Sequence, residues 1–461
     1  MAEEKKEKKG FFKRFWKRIV IISGSIATLV VVAAVVVVVL LTDKTRFSGK
    51  IGSDDSVEVI EKNYIEGFKD TSKTGKFTFQ IPEDEMNSVF DKASKSINNE
   101  YVDRIYYGRG KDNHHYFYID LNLPVITSRV VIDTLAKEGK VNKEQVIKLS
   151  IEKVSLGKIN AYNFIKDKGI LTSSLFDGFF KSISIPITFN ESNNTFTVKP
   201  LSYIDNFPTV STISTTYFKL ARESGSHVIS INPSILGFTV DFSKFRSSNS
   251  LVANDYSGET APNFDTGLST RLNEVASELE VGVPHTAYSI TKNDLNIALT
   301  KSIPSIMKEE VTSKLTKNKV TNSLVNVQTN FIDSDNLTMS LLYSFNGYVI
   351  DAVVPLTYVD LSDAENLKAY FQIEYDINVG SYTKDGSQEE GDIYGKFFIT
   401  NLKAILGAFA SSSTLFSIDD DALWIKLENF SSSSYPTVIQ NASKEILLDS
   451  DQLSFILTRM S

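Results

Sequence analysis

The stretch IPEDEMNSVF, residues Ile81–Phe90, recurs in outline as ITKNDLNIAL at Ile290–Leu299 and as LDSDQLSFIL at Leu448–Leu457. In each, an aliphatic residue is followed five places later by Met or Leu, and then by Asn, Asn or Ser. The middle copy reads as a helix start. With Thr291 as N-cap, Asp294 stands at N3, where the two can satisfy each other's orphan backbone donors. Ile290 and Leu295 then form a hydrophobic staple. The third copy fits the same scheme, with Asp449 as cap, Gln452 at N3 and Leu448 against Leu453. In the first copy Pro82 takes the cap position, so the start shifts and places Pro at N1. Glu83, Asp84 and Glu85 then complement the positive end of the helix dipole. Asn87 and Asn296 follow the staple residue. Asn is a mediocre helix former, so a side-chain hydrogen bond to a neighbouring strand is expected there, with a ligand contact as the alternative.

Outward from the first copy, KFTFQI (Lys76–Ile81) alternates as a strand should. The helix places Met86, Val89, Phe90, Ala93 and Ile97 on one face. YVDRIYY, HHYFYIDL, VITSRVVID and QVIKLSIEKVSLGKI follow as strands, and SISIPITFN with NTFTVKP forms a hairpin across ESNN. Around the second copy the order repeats. HTAYSI is the strand, and Leu295, Ala298, Leu299, Ile303 and Ile306 are the helix face, with Pro304 kinking or splitting the helix. SLVNVQTNFI, NLTMSLLYSF, GYVIDAVVPLTYV and NLKAYFQIEYDINVGSYT continue as strands. The last of these resembles QVIKLSIEKVSLGKINAY, with Gly380 matching Gly157, and ALWIKLENF corresponds to the NTFTVKPLSYIDNF region.

The expected fold class is therefore α+β: an N-terminal transmembrane helix, then two related units, each an amphipathic helix on a curled antiparallel sheet. The units span 76–245 and 285–461, the second ending in a helix begun by the third copy. That helix is expected to pack on the second unit's sheet or against the first unit. Residues 246–284 read as a linker region, with a polar loop at Ser247–Gly267 and a short helix in LSTRLNEVASELE (Leu268–Glu280). Residues 42–75 read as an extracytoplasmic stalk containing a short helix at Ser56–Phe68.

Ile19–Leu41 is 23 residues without a charge. At about 1.5 Å per residue it is long enough for a bilayer core of about 30 Å. Lys13, Arg14, Lys17 and Arg18 precede it, with Phe15 and Trp16 at interfacial positions. The positive-inside rule places 1–18 in the cytoplasm as a basic tail and residues 43–461 outside. The run is longer than a signal-peptide core and no A-x-A site follows it, so a retained anchor is expected at the cell membrane.

The formal net charge is -7. Residues 1–18 hold eight Lys/Arg and three Glu, so the remainder carries -7 minus +5, or -12. An acidic main body argues against nucleic acid as a partner. There is no cysteine, which excludes disulfides, thiolate metal sites and thiol nucleophiles. His114 and His115 are adjacent on a strand and face opposite ways. His227 and His285 stand in or beside strands. SQEEGD (Ser387–Asp392) and IDDDA (Ile418–Ala422) lack calcium-loop spacing and read as hairpin tips. No nucleophile elbow, phosphate loop or zinc-protease signature is present, so neither an enzyme nor a bound metal or cofactor is expected.

FTFQIPEDEMNSVFDKA followed by KLSIEKVSLGKINAYNFI resembles the YpmS-like membrane-anchored proteins of low-GC Gram-positive bacteria. The matching positions are Met86 and Asn87, then Ser155, Leu156 and Gly157. The resemblance covers 76–200 and, more weakly, 286–430, as a tandem pair where the family has one unit. It implies an envelope location more than an activity. The helix-wrapped-by-sheet pattern is also similar to tubular lipid-binding domains. Two non-catalytic functions are thus expected. One is a single-pass envelope protein that binds lipid or another amphiphile in a groove at Met86, Asn87, Phe90, Leu295, Asn296 and Leu299. The other is an envelope scaffold that binds protein or wall partners and no small molecule.

Overall fold

The computed structural model describes residues 54–96, 102–122, 127–142, 144–156, 159–162, 173–205, 228–246, 251–362, 367–380, 382–385, 393–427 and 435–461. The expected anchor Ile19–Leu41, Ile97, Gly157, His227 and SQEEGD lie outside the described residues. Among the described residues, no helix is long and apolar enough to cross a membrane.

The first unit opens with α1 (Ser56–Gly67), β1 (Lys76–Phe79) and α2 (Glu83–Ser96). A meander follows: β2 (Val102–Arg109), β3 (His114–Asn122), β4 (Thr127–Val141) and β5 (Glu144–Leu156), with β6 (Ile159–Asn160) folding back on β5. Then come α3 (Ser173–Ser182), β7 (Ile187–Asn190), β8 (Thr195–Val198) and the single turn α4 (Ser202–Asp205). β9 (Ile229–Asn232) and β10 (Gly237–Asp241) complete it. The larger sheet has the order β2-β3-β4-β5-β8-β7, and the smaller one β1-β10-β9.

The second unit repeats this series. It runs α5 (Phe264–Glu278), β11 (Pro284–Thr291), α6 (Lys292–Lys301), β13 (Lys319–Phe331), β14 (Asn336–Phe345), β15 (Tyr348–Asp360) and β16 (Leu367–Ile373). β17 (Asp376–Val379) and β18 (Tyr382–Asp385) form the fold-back hairpin, turning at Gly380, whose φ of +60° suits glycine. α7 (Ile393–Ala410), β19 (Phe416–Asp419), β20 (Ala422–Leu427), the turn α8 (Thr437–Gln440), β21 (Ala442–Leu448) and β22 (Gln452–Arg459) follow. Among the described residues the second unit adds an edge strand, β12 (Lys308–Thr312), paired to the start of β13. The smaller sheet, β11-β22-β21, matches β1-β10-β9 position for position. A hydroxyl pair crosses each opening strand: Thr78 with Thr239 at 3.0 Å, and Ser289 with Ser454 at 2.9 Å.

This correspondence corrects the reading of the third copy. Leu448–Leu457 is a hairpin, and the expected C-terminal helix is strand β22. Asp449, Ser450 and Asp451 form the turn between β21 and β22. Leu453, Phe455 and Leu457 alternate into the core at 0–3% exposure, a period of two that a helix would break. Copies two and three are in fact partners. Ile290 pairs with Leu453 and Thr291 with Gln452, and Lys292 N donates to the Asp451 carbonyl at 2.8 Å. The last strand closes the second unit onto its own first strand, as β10 closes the first.

Other boundaries also move. Residues 56–75, expected in a stalk, are packed: Val59, Tyr64 and Phe68 of and beside α1 are fully buried. Residues 264–278, expected in a linker, form α5, whose Phe264, Leu268, Leu272 and Val275 are buried. α6 stops at Lys301 ahead of Pro304, and Ile306, expected on its apolar face, is 75% exposed. α3 and α7 were not foreseen. The signal for α7 lay in Phe398, Leu402, Ile405, Leu406 and Phe409, all fully buried.

One apolar core runs through both units. At the seam Phe242 stacks on Phe345 with centroids 4.4 Å apart. The Tyr64 hydroxyl donates to Glu309 Oε1 at 3.3 Å, and Asn322 Nδ2 donates to Glu309 Oε2 at 3.0 Å. Asn346 Nδ2 donates to the Phe68 carbonyl at 3.1 Å. A buried carboxylate held by one donor from each unit favours one arrangement of the two.

Candidate binding face

The six expected groove positions stand on α2 and α6, and all are buried. Met86, Phe90, Leu295 and Leu299 belong to the continuous core, with exposures of 5% or less. Asn87 and Asn296 bind strands. Asn87 Nδ2 donates to the Tyr107 carbonyl at 2.9 Å, and its Oδ1 accepts from Tyr107 N at 2.7 Å. Asn296 Oδ1 accepts from Thr329 N at 2.7 Å and from Thr329 Oγ1 at 2.8 Å. Each Asn thus pins its helix to the edge region of the facing sheet. The strand-bond expectation holds, and these six positions form packed helix faces.

The helix starts follow from local chemistry. Thr291 caps α6 by accepting from Asp294 N at 3.1 Å, and its hydroxyl donates to Asp294 Oδ2 at 2.7 Å. Pro82 stands one place before α2 and its carbonyl accepts from Met86 N at 2.9 Å, as an N-cap carbonyl does. Glu83 Oε2 accepts from Arg109 N at 2.8 Å, tying this helix start to β2.

The histidines part as expected, to opposite faces of β3. His115 is wholly buried; its Nδ1 lies 2.5 Å from the Tyr107 hydroxyl and its Nε2 2.8 Å from the Pro233 carbonyl. The carbonyl can only accept, so Nε2 carries the proton and Nδ1 accepts from Tyr107. Burial pushes the His115 imidazole down to about 4, and burial likewise pushes the Tyr107 phenol up to about 12. His114 faces outward with Nδ1 2.8 Å from Asp133 Oδ1, a hydrogen bond that raises its pKa. Among the described residues, no group of three or more acidic, His or Cys side chains could hold a metal ion. In the IDDDA tip, Asp421 bonds Lys403 and the Tyr375 hydroxyl. Burial alone would raise its carboxyl, but these two partners hold it below its ordinary value.

The two large sheets differ most on their outward faces. In the first unit, Arg104 and Tyr106 of β2 lie opposite Asp120 and Tyr118 of β3, which lie opposite Arg129 and Val131 of β4. Arg129 grips Asp120 with two hydrogen bonds, one of them 3.0 Å, and its guanidinium lies 5.5 Å from the Tyr118 ring centre. Tyr118 lies across Gly108, where a Cβ would come within 2.7 Å of the ring. Tyr116 continues the ladder, 6.0 Å from Tyr118 and 6.3 Å from His114. The rings of His114, Tyr116 and Tyr118 are half-buried, whereas Tyr106, Asp120 and Arg129 are buried, at 3–9% exposure.

In the second unit the corresponding face is covered by residues 251–257 of the chain itself. Gln328 Nε2 donates to the Val252 carbonyl at 2.9 Å, and Asn326 Nδ2 to the Asn254 carbonyl at 3.0 Å. Lys301 Nζ donates to the Ser257 carbonyl at 3.3 Å, and Tyr256 is buried. Beneath lie Asn326, Ser340, Leu342 and Asp351, all below 5% exposure. A surface depression of about 550 Å³ between α5 and β11 is lined by Thr266, Thr270, Arg271, Glu274 and Tyr288 among others.

No family model and no curated protein matches this chain. Among solved structures, the chain is similar to the protein P47 from Clostridium botulinum A2. The match is at 11% identity over 88% of this chain and 96% of that one, with a TM-score of 0.17. A likeness at that level carries no argument about this chain.

Proposed function

We propose that this chain is a non-catalytic, membrane-tethered scaffold of the cell envelope. Its working surface is the outward face of the first sheet. The observation that supports this reading most is the packing of α2 and α6: the positions that would line an acyl-chain groove are filled core. A rigid two-unit body with a Tyr- and Arg-bearing face suits contact with polypeptide, since both residue types combine large contact area with directed hydrogen bonds. The hydrophobic run Ile19–Leu41 supplies the tether.

Native mass spectrometry of the full chain, extracted in detergent and exchanged into a second detergent, tests the reading. The expected spectrum shows the chain without stoichiometric lipid. A lipid bound one to one that survives exchange would overturn the scaffold and favour an amphiphile-binding interior.

A further inference from the structure

We propose that the outward face of β16 and β20, in the second unit, binds an anionic polysaccharide. The inference stands apart from the polypeptide-binding reading of the first sheet and does not depend on it.

Strand register sets this face out in three rows. In the first, Lys368 lies directly opposite Lys426. In the second, Val359, Tyr370 and Trp424 lie side by side. In the third, Thr357 lies opposite Gln372, then come Ala422 and Asp419. Along β16 the residues alternate, so that Ala369 and Phe371 enter the core while Lys368, Tyr370 and Gln372 stay half-buried outside. Trp424 and Lys426 are half-buried in the same way on β20.

Like charges directly opposite each other on a sheet repel. Here both are gathered on one indole: Lys368 Nζ lies 5.0 Å and Lys426 Nζ 4.9 Å from the Trp424 ring centre. The π system offsets part of the repulsion. Among the described residues no carboxylate pairs with either lysine. An anionic group seated between the two ammoniums would neutralise both.

Beside the cations, Trp424 and Tyr370 stand with ring centres 4.7 Å apart. With Val359 they form an apolar bed, which suits the C–H face of a sugar ring. The third row offers acceptors. The Thr357 hydroxyl donates to Glu374 Oε1 at 2.8 Å, and Gln372 Nε2 donates to the Asp421 carbonyl at 3.2 Å. What these two side chains still present is mainly oxygen lone pairs, and Asp419 adds an exposed carboxylate. Such a row calls for O–H donors. Alternate residues on a strand are about 7 Å apart, so the first and third rows lie about 13 Å apart, a span for a few linked sugars. A nucleic acid suits the face less well, because it needs cations along its whole track and would meet Asp419 at one end. An acidic peptide brings the anion without the hydroxyl donors.

The chain has two tryptophans, Trp16 and Trp424. Full-length Trp16→Phe protein in detergent therefore reports this face by its own fluorescence. The probe is a hexamer of galacturonic acid. The expected result is a saturable change in Trp424 emission, with neutral maltohexaose binding at least about tenfold more weakly. Lys368→Gln with Lys426→Gln should lower galacturonate affinity by about tenfold. Lys368→Arg with Lys426→Arg keeps both charges and should bind within about threefold of the parent, which separates lost charge from lost folding. No saturable change, equal binding of maltohexaose, or an affinity that the Gln pair leaves unchanged would overturn the proposal. An equal loss in the Gln and Arg pairs would also count against it. Tighter binding of oligothymidylate or of polyglutamate would overturn the sugar assignment and give the face to a nucleic acid or an acidic polypeptide. Each of these failures leaves the reading of the first sheet standing.

Discussion

Asn87 and Asn296 perform one task in two ways, and the contrast runs through both units. Asn87 satisfies both the N–H and the carbonyl of Tyr107, whereas Asn296 meets the N–H and hydroxyl of Thr329. Next to the first pin stands His115; at the matching place in the second unit stands Leu337, also buried. The first unit thus carries buried titratable and tyrosine chemistry where the second carries hydrocarbon and amide. The element order is shared, and the side chains that fasten it are not. Pairing order and hydrophobic spacing therefore carry this architecture, and individual polar fasteners can be exchanged on it.

The largest expected effects test whether the two closing strands matter equally. Phe238 in β10 and Phe455 in β22 are both fully buried. Phe238→Ala and Phe455→Ala should each cost about 3–5 kcal/mol in denaturant unfolding. Because the core is continuous, each variant should shift a single transition that both units share. Two separated transitions would show that the seam at Phe242–Phe345 and Glu309 does not couple the units.

Acid should separate the units. His115 ordinarily titrates near 6.5 and is held to about 4 in the fold. Above pH 6.5 it is neutral in both states and makes no difference. As pH falls from 6.5 toward 4, the unfolded chain takes up the proton and the folded chain resists, so stability is lost. A fall from 6.5 to about 4 corresponds to a loss of about 3 kcal/mol, complete below pH 4. His114 acts in the opposite sense: its pKa is raised by Asp133, so it favours the fold at low pH, but it is partly exposed and weaker. Hydrogen exchange at pH 4.5 should therefore show β2 and β3 losing protection before β13 and β14. His115→Leu, which copies Leu337, should flatten that difference while lowering stability at neutral pH, because Tyr107 and Pro233 lose their partner.

The pins themselves come next. Asn87→Ala leaves two buried backbone groups of Tyr107 unmet and should cost about 2–4 kcal/mol; Asn296→Ala strands one backbone group and should cost about half as much. Equal costs would mean that the Thr329 hydroxyl bond counts as fully as a backbone bond.

How much of this was written in the sequence differs residue by residue. The cap at Thr291, the strand bonds of Asn87 and Asn296, and the opposed directions of His114 and His115 were legible, because each depends on neighbours within one turn or on strand alternation. The fate of Leu448–Leu457 was not. Asp449, Ser450 and Asp451 serve a turn as well as a cap. What decides between them is β11, some 165 residues away, waiting with an open edge. α7 was obscured because its exposed stripe, at Lys396, Thr400 and Ala404, is narrow and includes an alanine, so the apolar run around it shows little period. That Met86, Phe90, Leu295 and Leu299 pack in the core could not be read from the sequence, because a filled helix face and an empty one are spelled alike. Which segment covers a sheet face is likewise a long-range matter. The covering of Gln328 by Val252 could not be read from either stretch alone.

The smallest effect probes the place where copies two and three meet. Thr291 is both the cap of α6 and the last residue paired in β11, opposite Gln452. Thr291→Ala removes the hydroxyl that serves Asp294 and should cost about 1 kcal/mol. The backbone pairing to β22 does not use that hydroxyl, so protection of the β22 amides should be unchanged. If instead β22 loosens along with the helix start, the cap and the closing strand are one cooperative device. The first unit, with Pro82 ahead of α2 and no hydroxyl to give, would then have to be closed by other means: the Glu83 bond to Arg109 and the Phe79–Phe238 contact at 5.7 Å.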